Sequence, residues 1–320
     1  MSSLNVVVLG DNEFAKELGK LGSHSDIAIY NRKAGEDIFS FIAPLTFPEK
    51  LSSMLQAVKM AEAGMLVVKA LTPEIGECII ALNEAGVDKG AIILENTVQE
   101  QIKPLIKGTL LERYSFCEKS YSSVMNELAK ISVEEVTGSL IFAMDHFFST
   151  KSAGLVAVGR VMRGKIKAYD KVTVLPIKKE VLVKSLQKQD ENANEALFGD
   201  RVGVALKGVE ENELARGYIL TNAEQEFKVS NIVSGGLSVS RFFKYPLEPG
   251  QRLQISLGLQ DETVILKNME GKEKLGAGES ARVELMTESG KNLVYEENEK
   301  FIISRPEVKG LRIVGSGRCG

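Results

Sequence analysis

Cysteine is scarce in this sequence, and its placement excludes two kinds of small scaffold. Cys78, Cys117 and Cys319 are three in number, far apart, and form no Cys-x-x-Cys pair, which argues against a disulfide framework and against a zinc site. Reduced structural thiols are expected, with no metal. Long apolar runs are missing too: none approaches the roughly 18 residues that span a bilayer, and Met1-Ser2-Ser3 lacks the basic and apolar regions of a secretory signal. The expectation is a cytoplasmic protein with no membrane partner. Surplus charge is also absent. A formal net charge of −3 gives no global attraction to nucleic acid, so RNA binding would rest on a local basic surface, and DNA is not an expected partner. Internal repeats and low-complexity tracts do not occur.

What is present fits a multidomain globular chain. At 320 residues the chain is longer than one core comfortably supports, and 44% hydrophobic with 26% charged residues is the balance of ordinary folded domains. Three regions differ in rhythm. In residues 1–133, apolar runs at 6–9, 27–30, 65–71, 91–94 and 110–116 read as strands. Between them Leu51, Met54, Leu55, Val58 and Ala61 recur at helical spacing, Pro73 opens a second helix, and 120–131 reads as a last one. This is a β/α pattern with a mainly parallel sheet. From 134 onward short strands alternate apolar and polar residues, as in Val202, Val204 and Leu206, or Leu253, Ile255, Leu257 and Leu259. The polar stretch at 221–226 divides this part into two barrels, 134–222 and 223–320.

The first region carries a mismatch. Gly10-Asp11-Asn12-Glu13-Phe14-Ala15-Lys16-Glu17 follows the apolar run Val6 to Leu9 in the frame of a phosphate-binding loop, Gly, any four residues, Gly-Lys-Ser/Thr. Lys16 is kept, but Ala15 and Glu17 stand at the second-glycine and hydroxyl positions. A Cβ then sits where backbone must approach phosphate, and a carboxylate sits where a metal ligand belongs. Lys16 either still grips an anion or is a solvated lysine on a retained helix.

The middle region carries a resemblance. Gly154-Leu155-Val156-Ala157-Val158-Gly159-Arg160-Val161 leads to Gly164, then Asp170-Lys171-Val172, Phe198-Gly199-Asp200-Arg201-Val202 and Arg216-Gly217-Tyr218. This series resembles the second-domain barrel of the elongation factor Tu family. Asp145-His146-Phe147-Phe148 ahead of it is most similar to the selenocysteine-specific branch. Phe301 to Pro306 and Leu311 to Gly317 resemble, more loosely, the closing strands of the third-domain barrel. The resemblance implies a degenerate P-loop GTPase-like α/β domain followed by two β-barrels. It also implies what has been lost. The family's Asp-x-Pro-Gly-His falls on Ala43-Pro44-Leu45-Thr46-Phe47, without its metal-reaching aspartate or water-positioning histidine. The guanine-reading Asn-Lys-x-Asp falls on Asn96-Thr97-Val98-Gln99, keeping only the asparagine, and too few residues separate Lys16 from Ala43 for the family's effector loop. Together these losses remove the parts on which phosphoryl transfer depends.

The resemblance therefore implies a translation-factor-like pseudo-GTPase, not an enzyme, that binds tRNA, other RNA, the ribosome or translation factors. No cofactor is expected. An alternative keeps GTP or GDP in an atypical site through Gly10, Lys16 and Asn96, and a third reading is a protein scaffold. Candidate RNA-binding residues on the middle barrel are Asp145, His146, Arg160, Arg163, Lys165, Gln187, Lys188 and Arg201. The stretch 185–189 and the turn 198–201 match the family's surface for the 3′ end of aminoacyl-tRNA, or are retained for packing alone. Arg160, Arg163, Lys165, Lys167 and Lys171 on one hairpin, followed by Lys178, Lys179, Lys184 and Lys188, could track phosphates or be a solvated face. Phe147, Phe148, Phe242 and Phe243 read as core residues.

Overall fold

In the computed structural model, which describes residues 3–35, 37–188 and 191–320, the first part is a seven-stranded sheet. Its elements are β1 (Ser3–Leu9), α1 (Asn12–Leu18), β2 (Lys20–His24), β3 (Ile27–Ala34), β4 (Asp37–Pro44), α2 (Leu51–Lys59), β5 (Ala63–Val68), α3 (Pro73–Ala85), β6 (Gly90–Leu94), α4 (Gln99–Ile106), β7 (Ser115–Cys117) and α5 (Tyr121–Leu128). The strand order is β2-β3-β4-β1-β5-β6-β7. From β4 through β1, β5 and β6 to β7 the neighbours run parallel, while β2 and β3 form an antiparallel edge. Alternation along β1 explains the two-sided core. Val7 and Leu9 face α2 and α3, whereas Val6 and Val8 join Phe14, Leu18, Val124 and Leu128 on the opposite face.

Local chemistry sets the helix ends. Thr72 caps α3 by accepting a hydrogen bond from the Ile75 N–H, Pro73 fills the first turn where no donor is needed, and Gly86 ends the helix in the left-handed conformation at φ 86°. Two expectations change here. The segment 110–116 is not one strand: Thr109 caps a short 3₁₀ turn at Leu110–Arg113, leaving only Ser115–Cys117 to pair with β6. The antiparallel β2–β3–β4 edge is longer than the run at 27–30 suggests, because exposed polar residues on it dilute the apolar pattern.

The two barrels follow. β8 (Ile141–Thr150), β9 (Gly154–Arg163), β11 (Lys171–Leu175), β12 (Lys179–Lys188), β15 (Arg201–Lys207) and β16 (Ile219–Thr221) close into a six-stranded barrel through the β11–β12 pairing. The short strands β10 (Lys165–Lys167), β13 (Glu191–Ala193) and β14 (Glu195–Leu197) are appended to it. After β17 (Phe227–Ser230), the second closed barrel comprises β18 (Ile232–Val239), β19 (Arg252–Leu257), β20 (Gln260–Met269), β21 (Ser280–Thr287), β23 (Lys300–Ser304) and β24 (Ile313–Cys319), with β22 (Leu293–Glu296) paired to β17. Closure leaves no edge among the six strands of either barrel.

The α2 face of the first-domain core continues directly into Ala143, Ile219, Leu259, Ile302 and Ile313 of the barrels. Polar clamps frame this junction. Arg312 meets buried Glu77, Arg216 meets Asp26 and Gln56, and buried Arg160 pairs with Glu62 while donating to the Met60 carbonyl at 3.0 Å. Among the described residues no helix is long and apolar enough to cross a membrane.

Candidate functional site

Among the described residues, two of the cavities hold most of the side chains that matter for a site. The first lies at the carboxyl ends of β1, β5, β6 and β7, where an open α/β sheet usually binds its ligands. Gly10 leaves β1 at φ 85°, and a Cβ there would stand 2.1 Å from the Val67 carbonyl oxygen, so only glycine allows the chain to turn this close to β5. The helix then begins at once. Asp11 is the N-cap of α1, its carboxylate accepting from the Phe14 N–H at 3.4 Å, and Phe14, Ala15 and Leu18 are buried beneath it. The expected loop of five residues before Lys16 is thus already helix, because Asp11 caps early and alanine, not glycine, stands at 15. Lys16 consequently lies in the last turn of α1. It is exposed and bound to Glu13 at 2.6 Å, and that hydrogen bond holds its ammonium above the usual lysine range.

What occupies the head of α1 is protein. The Asp11 carboxylate, 3% exposed, lies 2.8 Å from both Lys69 and Lys119, and Lys119 also holds Glu95 at 3.0 Å. Burial acts to raise the Asp11 pKa, but the hydrogen bonds and charges of Lys119 and Lys69 outweigh it and hold the carboxyl below its usual value. Beside this cluster a cavity of about 260 Å³ is lined by Gly10, Asp11, Pro44, Phe47, Lys69 and Thr72 among others. Pro44, the last residue of β4, and Phe47 line the same cavity as Gly10. Asn96, exposed at φ 58°, does not line the cavity.

The second place is a cavity of about 410 Å³ between the middle barrel and the β2 edge of the first domain. Four of the eight barrel candidates, His146, Gln187, Lys188 and Arg201, line it together. Strand alternation puts His146 and Phe148 on one face, their rings tilted at 45° with centroids 5.9 Å apart, beside Val156 and Val158. Asp145 points the other way, is buried, and takes both terminal nitrogens of Arg201, one at 2.8 Å. Lys188 pairs with Asp200 at 2.8 Å, and Asp200 also accepts from Ser3. Gln189 lies outside the described residues. The remaining candidates are elsewhere. Arg160 serves the clamp to Glu62, Arg163 bridges Glu226 and Glu296, and Lys165 is exposed on β10. The lysine-rich strands of this barrel are largely neutralised, with Lys167 near Glu195, Lys171 near Glu180 and Lys179 against Glu213. Phe148 and Phe242 are each 40% exposed, unlike the fully buried Phe243, because they stand on outward positions of their segments.

The comparisons with known proteins fall on this architecture. Residues 154–221 match the family described as elongation factor Tu domain 2. The chain is 32% identical over 202 residues, 57% of this chain and 41% of the relative, to the selenocysteine-specific elongation factor of Methanocaldococcus jannaschii. An uncharacterised protein of the same organism is 28% identical over 99% of this chain and all of its own length. Translation elongation factor SelB from Methanococcus maripaludis, solved in complex with the GTP analogue GppNHp, superposes with a TM-score of 0.83 at 21% identity, covering all of this chain and 79% of that one. The fold is that of SelB, an α/β domain followed by two closed six-stranded barrels.

Sequence reasoning missed Asp11, Lys69 and Lys119 as a unit, and with them Lys20 and Ser23 on the pocket wall. The first three share one trace: each stands at or just after the end of a strand that the sheet runs parallel.

Proposed function

We propose that the chain is a translation-factor-like binding protein that holds the end of an RNA, tRNA being the leading candidate, in the cavity between the middle barrel and β2, and that it turns over no nucleotide. The observation that carries the second half is Asp11. A helix N-terminus with two lysines is the environment a phosphate seeks, and here a built-in carboxylate already satisfies it. The residues do not fit a magnesium nucleoside triphosphate: Lys16 is held by Glu13 one turn along α1, and Ala43 and Phe47 offer neither a metal ligand nor a water-positioning group.

The RNA half is supported by His146, Gln187, Lys188 and Arg201 sharing one cavity with an exposed aromatic face. Bases stack on such faces, and amide and guanidinium groups bond sugar and base edges. Lys188 and Arg201 are each held by an aspartate. The Asp145–Arg201 pair fixes the guanidinium and lowers its free charge, so contacts here select by shape and hydrogen bonding more than by net attraction. Titration calorimetry with GTP and GDP in the presence of Mg²⁺ tests the first half: no heat of binding is expected, and micromolar guanine-selective affinity overturns it. Filter binding of charged and uncharged tRNA over a salt series tests the second.

A further inference from the structure

We infer that the junction of the three domains is a binding site for a free apolar α-amino acid, with Lys59 taking its carboxylate, Glu299 its ammonium, and the surrounding wall its side chain. The site is separate from the cavity beside β2, and the inference stands independently of the RNA-end reading.

All three domains build the wall. A cavity of about 240 Å³ lies where the end of α2 meets both barrels. Met60 comes from the first domain, Met162 on β9 and Ile219 on β16 from the middle barrel, and Phe227, Leu259 and Val294 from the last part of the chain. No single domain forms this hollow, so an occupant touches only the assembled molecule. Its apolar lining with a few polar groups is the common form of a small-molecule site. Methionine from two domains suits apolar guests of differing shape, because the unbranched thioether adjusts to what it packs against.

The charges on the wall narrow the ligand. Asp145 is paired with Arg201, Arg160 with Glu62, and Glu296 with Arg163. Lys59 and Glu299 line the same cavity, and among the described residues neither forms an ion pair. The Lys59 ammonium donates to the Lys300 carbonyl at 2.7 Å, and the Glu299 carboxylate accepts from the Glu296 N–H at 3.0 Å. Lys300 directly follows Glu299, so the two charged groups are neighbours that do not touch. Burial pulls the Lys59 ammonium down to about 8 and pushes the Glu299 carboxyl up. Such groups carry a desolvation cost that a ligand of matching polarity offsets. An anionic ligand would answer Lys59 alone, and a cationic one Glu299 alone. A zwitterion with an apolar side chain answers both and fills the hollow.

The experiment is isothermal titration calorimetry, with thermal unfolding alongside, on the full chain without RNA or nucleotide. Leucine, methionine and phenylalanine are the probes, each compared with its deaminated acid, its decarboxylated amine and glycine. At least one amino acid should bind and raise the melting temperature as its concentration rises. Its deaminated acid and its amine should each bind about tenfold more weakly or worse, the value of one charge-assisted hydrogen bond, and glycine likewise for want of a buried side chain. Glu299→Gln, which keeps an acceptor for the Glu296 N–H, and Lys59→Met should each weaken that amino acid about tenfold. The inference is overturned if none of the three amino acids gives heat or a thermal shift, if the deaminated acid or the amine matches its parent, or if both variants unfold cooperatively and bind like the wild type. The ligand series uses only the wild type, so it decides the matter even where a variant fails to fold.

Discussion

At the scale of single residues, Asp11 combines two roles that usually fall to different groups. It caps α1, and it is the anion between Lys69 and Lys119. Asp11→Ala removes the cap and leaves two ammonium groups facing each other, so a loss of about 1–2 kcal/mol is expected in urea unfolding. The same substitution vacates an anion site. Inorganic phosphate should then stabilise the Asp11→Ala protein against heat while leaving the wild type unchanged, and a wild type stabilised equally by phosphate would argue that Asp11 does not fill the site. Gly10 is as constrained by geometry as Asp11 is by charge. Gly10→Ala meets both a positive φ and the Val67 carbonyl, and a loss of about 2 kcal/mol or more is expected in the same assay.

At the scale of elements, α2 decides how the domains sit. Seven of its nine residues are buried, which an amphipathic surface helix would not show. Its Gln56 donates to the Leu259 carbonyl at 2.9 Å and accepts from Arg216 at 2.8 Å, so one amide joins the helix to both barrels. Lys59, at its end, donates to the Lys300 carbonyl at 2.7 Å, and burial pulls its ammonium down to about 8. With the folded pKa below the unfolded 10.5, the unfolded chain holds the proton more tightly between these values, so this group's contribution to stability rises with pH from about 8 to about 10.5. Unfolding titrations should show that rise in the wild type and a reduced one in Lys59→Met. An unchanged slope would mean that the amine is solvated.

At the scale of the whole molecule, the domain junction sets several ion pairs in apolar surroundings. Arg160 with Glu62 is the most buried of them, 6% and 13% exposed. Breaking such a pair strands its partner, so Arg160→Ala should cost about 3 kcal/mol or more, read as an early loss of the denaturation midpoint. Asp26 gives this junction an acid limit. The hydrogen bond from Arg216 outweighs burial and holds the Asp26 carboxyl below its usual 3.8. For a depressed carboxyl the stabilisation is complete above the unfolded value and is lost as pH falls through the folded one. The melting temperature should therefore fall steeply below about pH 4, and Asp26→Asn should flatten that limb.

The sequence by itself determined the strand and helix types over most of the chain, the two barrels, and the likeness of the middle barrel to elongation factor Tu, because alternation, turn glycines and their spacing are local in sequence. Only the tertiary structure decided that α1 starts at Asn12 and so carries Lys16 away from the sheet edge. It alone brought Lys69 and Lys119 to Asp11, turned Arg160 and Arg163 inward as clamps while His146, Gln187, Lys188 and Arg201 met at one cavity, and set β2 across from them. Each of those outcomes depends on which strand ends and domain edges come together in space, and on which carboxylate reaches a given cation first. The one-dimensional pattern records the charges but not their partners.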